Sequence, residues 1–258
     1  MAISLASLQK NAPKPPRIIV YGDAGLGKTT FAVSAPNPVV IQTEDGLGNL
    51  NATAFPLASS FDEVIEAISS LYVEDHDFKT VVIDSLDWLE PLIWQRVCQD
   101  NQLETIEKLP YGKGYVEAVY HWRSFFDGIT ALRDAKGMTV IMTAHNEIKR
   151  VEDPTLPAYD RHDLKLHKRA SAVAEEFADI ILFAAQQTNT ITEDAGFNQK
   201  RIRTTSTGQR VMHTAGQPAF LAKSRFPLPP TLPLAWSALE EAMSPQKPAT
   251  AKTTCNEE

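Results

Sequence analysis

The stretch "VYGDAGLGKTTF", residues 20–31, constrains this chain more than any other. Gly22, Gly27, Lys28 and Thr29 satisfy the spacing G-x-x-x-x-G-K-[ST]. The apolar run "RIIVYG" before the loop reads as a buried parallel strand. A helix is expected to start at Lys28 and to stop before "APNP", which makes it unusually short. Glycines let backbone N–H groups curl around phosphates, and the start of a helix adds partial positive charge. The loop Gly22, Asp23, Ala24, Gly25, Leu26, Gly27, Lys28, Thr29 and Thr30 is therefore expected to cradle the phosphates of a nucleoside triphosphate, ATP. Lys28 should reach the β and γ phosphates, and Thr29 should offer its hydroxyl to Mg²⁺.

The remaining pattern predicts the frame around this loop. Strands are expected at "VVIQTEDG", "TVVIDS", "MTVIMTAH" and "ADIILFAA". Helical spacing runs through "SFDEVIEAISSLYVE", with Ser60 or Asp62 as cap, and through "DWLEPLIWQRVCQDNQ". Two glycines mark "LPYGKGY" as a loop, and a long helix follows from Tyr115 to Ala135, closed by Lys136 and Gly137. The stretch from Asn146 to Leu166 reads as a long charged loop, and residues 168–177 as a helix. Alternation around 188–192, 200–205 and 209–213, with "EDAG" and "STGQ" as turns, suggests antiparallel hairpins. A last helix is expected over Leu234 to Met243. Strands alternating with helices imply an α/β fold with a mostly parallel sheet flanked by helices, and an antiparallel extension at its C-terminal edge. Residues 1–16 read as a flexible arm, 17–243 as the ATPase domain and 244–258 as a disordered tail.

Three strand ends carry polar side chains suited to phosphate chemistry. Asp84 ends "VVID", where a carboxylate can hold the Mg²⁺ shell; capping the next helix is the competing role, which Asp87 could share. Ser85 is a lesser candidate beside it. Glu44 ends the strand after the loop's helix, where a carboxylate can orient and deprotonate an attacking water; Asp45 is its neighbour and rival. His145 ends "IMTAH" and is placed to hydrogen-bond the γ-phosphate and to report its loss to the segment that follows.

Taken together, the loop, Glu44, "VVIDS", "TAH" and "AKSRFPLP" occur in an order that resembles the RecA-like ATPases. The resemblance is nearest to the phage-encoded RecA-like single-strand annealing and recombination ATPases. It implies a catalytic glutamate at Glu44, a metal-shell aspartate at Asp84 and a strand-end sensor at His145. It also implies that Lys223 and Arg225 of "AKSRFPLP" reach a neighbouring subunit's γ-phosphate. The expected state is then a ring or filament with active sites at subunit interfaces. The family's DNA-facing loops fall on "PYGKGY" and on the segment after His145. There Tyr111, Lys113 and Tyr115 interleave aromatics with a cation, a combination that stacks bases and meets backbone phosphate. Lys149, Arg150, Arg161, Lys165, Lys168 and Arg169 form a local basic density. Single-stranded DNA is the implied partner, with a single-stranded-DNA-binding protein as a further one. A helicase loader or DNA motor of AAA+ type, and a nucleotide-controlled partner switch, are the alternative readings.

A net charge of −7 excludes a uniformly basic surface but leaves room for a local basic groove. The two cysteines, Cys98 and Cys255, lie far apart, so a disulfide is not expected and a reducing cytoplasm fits. The segment "MAISLASLQKNAPKPPR" lacks the basic start and long apolar centre of a signal peptide, and no apolar run suits a membrane span.

Overall fold

The computed structural model describes residues 8, 12–155, 157–194 and 200–244, with side chains left out of the description at 188–207. In chain order it runs β1 (Arg17–Gly22), α1 (Lys28–Val33), β2 (Pro38–Gln42), β3 (Thr53–Ala54), α2 (Phe61–Val73), β4 (Thr80–Asp84) and α3 (Leu86–Asp100). It continues with α4 (Lys113–Lys136), β5 (Thr139–Val151), β6 (Tyr159–Leu164), α5 (Lys168–Phe177), β7 (Ile180–Asp194) and β8 (Lys200–His213). The last elements are β9 (Lys223–Ser224), β10 (Thr231–Pro233) and α6 (Trp236–Met243).

The sheet order is β10-β8-β7-β1-β5-β4-β2-β3, with β6 paired to β5 and β9 to β7. From β7 to β3 every pairing is parallel, and β8, β9 and β10 add antiparallel strands at the other edge. The expected architecture is therefore the observed one. Alternation along β1 divides the core. Ile19 and Tyr21 face the cluster built from α2, α3, α4 and α5, whereas Ile18 and Val20 face α1 and α6. Helix ends follow local chemistry. Ser60 caps α2 by accepting from the Glu63 amide at 3.3 Å, while the Glu63 carboxylate reaches back to the Ser59 amide at 2.6 Å. Such a cap contributes roughly 1 kcal/mol.

Three expectations are corrected. The stretch from Asn146 to Leu166 is not a loop. β5 runs on past His145, and Asn146 to Val151 pairs antiparallel with Tyr159 to Leu164. Only the base of this extension, at Asp163 and Leu164, is buried; along the rest both faces carry charge, so the apolar alternation that marks a strand is missing. Likewise "STGQ" is not a turn: β8 is continuous, with a bulge where the register with β7 shifts between Gln186 and Thr188. Third, "PYGKGY" is only partly loop, because α4 already begins at Lys113. Gly114 is a packing position there, since a Cβ on it would lie 2.6 Å from the Ile106 carbonyl oxygen. The "EDAG" turn lies partly, and the tail beyond Ser244 wholly, outside the described residues, as does most of the arm before Ala12. Among the described residues no helix is long and apolar enough to cross a membrane.

Candidate nucleotide site

Parallel strands bring their C-terminal ends to one edge, so the register of the sheet decides which side chains meet. Gly22 at the end of β1 pairs with His145 on β5, and Gln42 on β2 pairs with Asp84 on β4. The loop after β1 is held by close approach. A Cβ on Gly22 would lie 2.3 Å from the Ala184 carbonyl oxygen, and Gly27 has φ 94° with the Arg210 guanidinium against it. Lys28 folds into the loop it follows, donating to the carbonyls of Gly22 at 3.0 Å and Asp23 at 2.9 Å. Burial pulls its ammonium below the ordinary lysine range, against the opposing pull of Asp87, Asp84, Glu44 and Asp23. A buried cation resting on backbone carbonyls inside a glycine cradle fits a triphosphate.

The Thr29 hydroxyl donates to Asp84 Oδ2 at 2.9 Å, and the buried Thr143 hydroxyl donates to Asp84 Oδ1. One hydroxyl and one oriented carboxylate are the protein's usual share of a Mg²⁺ shell, which phosphates and water complete. Among the described residues no group of three or more His, Cys, Asp or Glu side chains forms a metal cage. The donor set at Thr29 and Asp84 thus fits Mg²⁺ rather than a metal held by protein alone.

Glu44 lies just past β2, with its amide and that of Thr43 both bonded to the Asp84 carbonyl, at 3.1 and 2.8 Å. Its carboxylate accepts from the Ser85 hydroxyl at 3.1 Å and is half-buried, whereas Asp45 is exposed. Ser85 therefore orients Glu44. His145 is gripped by Asp87, whose two oxygens take its backbone amide and its Nδ1, each at 2.9 Å. The Asp87 hydrogen bond raises the imidazole above the ordinary histidine value, outweighing burial. Burial alone would raise Asp87, but the hydrogen bonds from His145 bring it below the usual carboxylate range. Next along β5, the Asn146 amide donates to the Asp23 carboxylate and links the strand directly to the phosphate loop.

Sequence reasoning missed Thr143 and the grip of Asp87. Thr143 stands two residues before His145, on the same side of a strand, so the polar pair in "TAH" was a usable signal. Asp87 carried no such signal, because an acidic residue in a first helical turn is ordinary.

The DNA-facing candidates divide. Tyr111 is 99% exposed, with φ 57°, and Lys113 is exposed. Tyr115 is drawn inward, stacked on the His167 ring at 4.2 Å and edge-on to Trp94 at 5.6 Å. Lys149 donates to the carbonyls of Leu164 and Leu166, at 2.8 and 3.0 Å, and Arg161 is paired to Asp163 at 2.5 Å. Arg150, Lys165, Lys168 and Arg169 stay exposed. Lys223 and Ser224 pair with the start of β7, level with the start of β1 rather than with its phosphate-binding end. Lys223 donates to the Glu175 carbonyl, and Arg225, with 59% of its side chain exposed, pairs with Asp179 at 3.1 Å. Asp179 also holds Arg17 at 2.9 Å and lies 3.7 Å from Arg133.

A phosphate cradle, a hydroxyl–carboxylate metal shell and a second carboxylate on one edge of a parallel sheet define a P-loop nucleoside triphosphatase. Within that class the chain belongs to the AAA domain family, whose model matches residues 14–226. No curated protein matches the chain.

Proposed function

We propose that the protein is a Mg²⁺-dependent ATPase that binds single-stranded DNA and promotes annealing or homologous recombination, working as a ring or filament. The observation that carries the reading is the course of β5. One strand passes from the site, where His145 is paired with Gly22, straight into the hairpin with β6. Exposed cations flank that hairpin: Arg150 within it, Lys165 at its base, and Lys168 and Arg169 in the first turn of α5. Loss of the γ-phosphate at His145 is thereby felt at a basic surface through continuous backbone.

The chemistry follows from the side chains. Lys28 and the loop amides hold the phosphates, and Thr29 with Asp84 holds Mg²⁺, which supplies charge neutralisation when bound. Glu44, oriented by Ser85, takes the proton of the attacking water. Lys223 and Arg225 serve a neighbour's site in this reading, which agrees with their distance along the sheet from their own P-loop. Family membership favours a second reading, an AAA-type motor or loader; against it, the described residues that follow the core form a β-hairpin and the short α6 rather than a helical lid. ATPase rate with and without single-stranded DNA tests the proposal. Stimulation that falls steeply with salt is expected, and a rate unchanged by DNA at low salt overturns the DNA reading.

A further inference from the structure

Trp88 on α3 is 51% exposed, an uncommon place for the largest apolar ring. It borders an open cleft of 460 Å³, within the range of about 300–1,000 Å³ usual for small-molecule sites. One wall is the first half of α3, where Trp88, Pro91 and Trp94 follow at three-residue spacing and so share a side. The other wall is the foot of the β5–β6 hairpin and the approach to α5, through Glu147, Lys165 and His167. Tyr115 braces both walls, stacked on His167 with ring centroids 4.2 Å apart and edge-on to Trp94 at 5.6 Å.

The charges around the cleft suit an anionic chain. Its acids are engaged within the protein: Asp87 by His145, Glu90 by the His167 amide at 3.0 Å, and Glu147 by Lys149 at 3.1 Å. Lys165 at the rim, and Lys168 and Arg169 just beyond His167, stay exposed. A stacking surface with a cationic rim is what an unpaired nucleotide needs: a ring for its base and cations for its phosphates. The cleft also backs onto the nucleotide site. Asp87 both lines it and grips His145, and the Lys165 amide donates to the His145 carbonyl at 3.0 Å.

We propose, on the reading that the protein binds single-stranded DNA, that this cleft seats one unstacked base of the strand against Trp88, with the flanking phosphates on Lys165, Lys168 and Arg169. Tyr115, expected from the sequence to stack on bases, is thereby a brace, and α3 supplies the ring instead. An apolar side chain of a protein partner would fill the cleft but leave the three cations unmatched, so nucleic acid is the better fit.

Anisotropy titrations of the full chain, with Mg²⁺ and a non-hydrolysable ATP analogue, test it with a labelled thymidine oligonucleotide and an abasic strand of equal length. Both strands carry the same phosphates, so only base contacts separate them. Wild-type protein should bind the thymidine strand about tenfold more tightly. Trp88→Ala should remove most of that preference, while abasic binding and its salt slope stay unchanged and certify the fold. Trp88→Phe keeps an aromatic face and should retain the preference. The thymidine strand, and not the abasic one, should quench tryptophan fluorescence, and Trp88→Phe should lose most of that quench. Equal binding of the two strands by wild-type protein, or a preference that survives Trp88→Ala, overturns the cleft as the base's seat. Failure of wild-type protein to bind either strand at low salt would instead sink the DNA reading, and the cleft with it.

Discussion

Glu44 and His145 lie at the same edge of the sheet as the cradle and are held in different ways. Among the described residues Glu44 has one hydrogen-bond donor, Ser85, and is half-exposed, as the water-activating role proposed for it requires. Glu44→Gln should keep ATP binding and lower turnover by about 10²–10⁴-fold, measured by phosphate release beside calorimetric binding. His145 is instead fixed on two sides by Asp87. Its raised pKa means that the folded chain holds the proton more tightly than the unfolded one. The pair's stabilisation is therefore complete below the ordinary value of 6.5 and is lost as pH rises through the raised value. Thermal unfolding from pH 6 to 9 should show that loss in the wild type and not in His145→Gln. That Thr29 and Asp84 meet at the loop was legible from sequence, because spacing and strand ends fix them. Thr143 and Asp87 were not, since their roles arise from which strands lie side by side.

At the scale of elements, α3 and the β5–β6 hairpin carry consequences of opposite kinds. Glu90 on α3 is 6% exposed, and burial pushes its carboxyl up to about 7, with the His167 amide as its hydrogen-bond donor. A raised carboxyl makes the folded state the better proton binder between 4.5 and about 7, so stability declines as pH rises through that window. Glu90→Gln keeps an acceptor for the His167 amide and should remove the decline, gaining on the order of 1–3 kcal/mol at pH 8 in denaturant titrations. The hairpin should behave as a charged surface. Lys168→Glu with Arg169→Glu should weaken single-stranded DNA binding and lower the salt slope by about 1 for each phosphate contact removed. Unchanged binding would move the DNA elsewhere. The helices and core strands were readable because one face of each is buried and leaves a periodic imprint. The hairpin left none, since Ile148 is 65% exposed and charged residues occupy both faces.

For the whole molecule, the sheet places the two halves of the proposed chemistry at opposite ends. Lys28 and Glu44 lie where parallel strands finish; Lys223 and Arg225 lie where they begin. If neighbours complete each other's sites, mixtures of Arg225→Ala and Lys28→Ala subunits should hydrolyse ATP at rates that depart from strict proportion to the intact copies. Proportional rates would make Arg225 a purely internal residue. The α/β class was readable from the alternation of strands and helices, whereas the position of β5 between β1 and β4 was not, because strand order is written in long-range pairing alone.

The Asp179 cluster bears on how freely Arg225 can leave. A buried carboxylate abandoned by its partner is costly, often by about 3–5 kcal/mol. Asp179 escapes that penalty, because Arg17 grips it through the guanidinium and the backbone amide, and Arg133 stands close by. Arg225 is the outermost and most exposed of the three. Its departure would leave the Asp179 carboxylate neutralised by Arg17 and Arg133, so the cluster itself does not depend on Arg225.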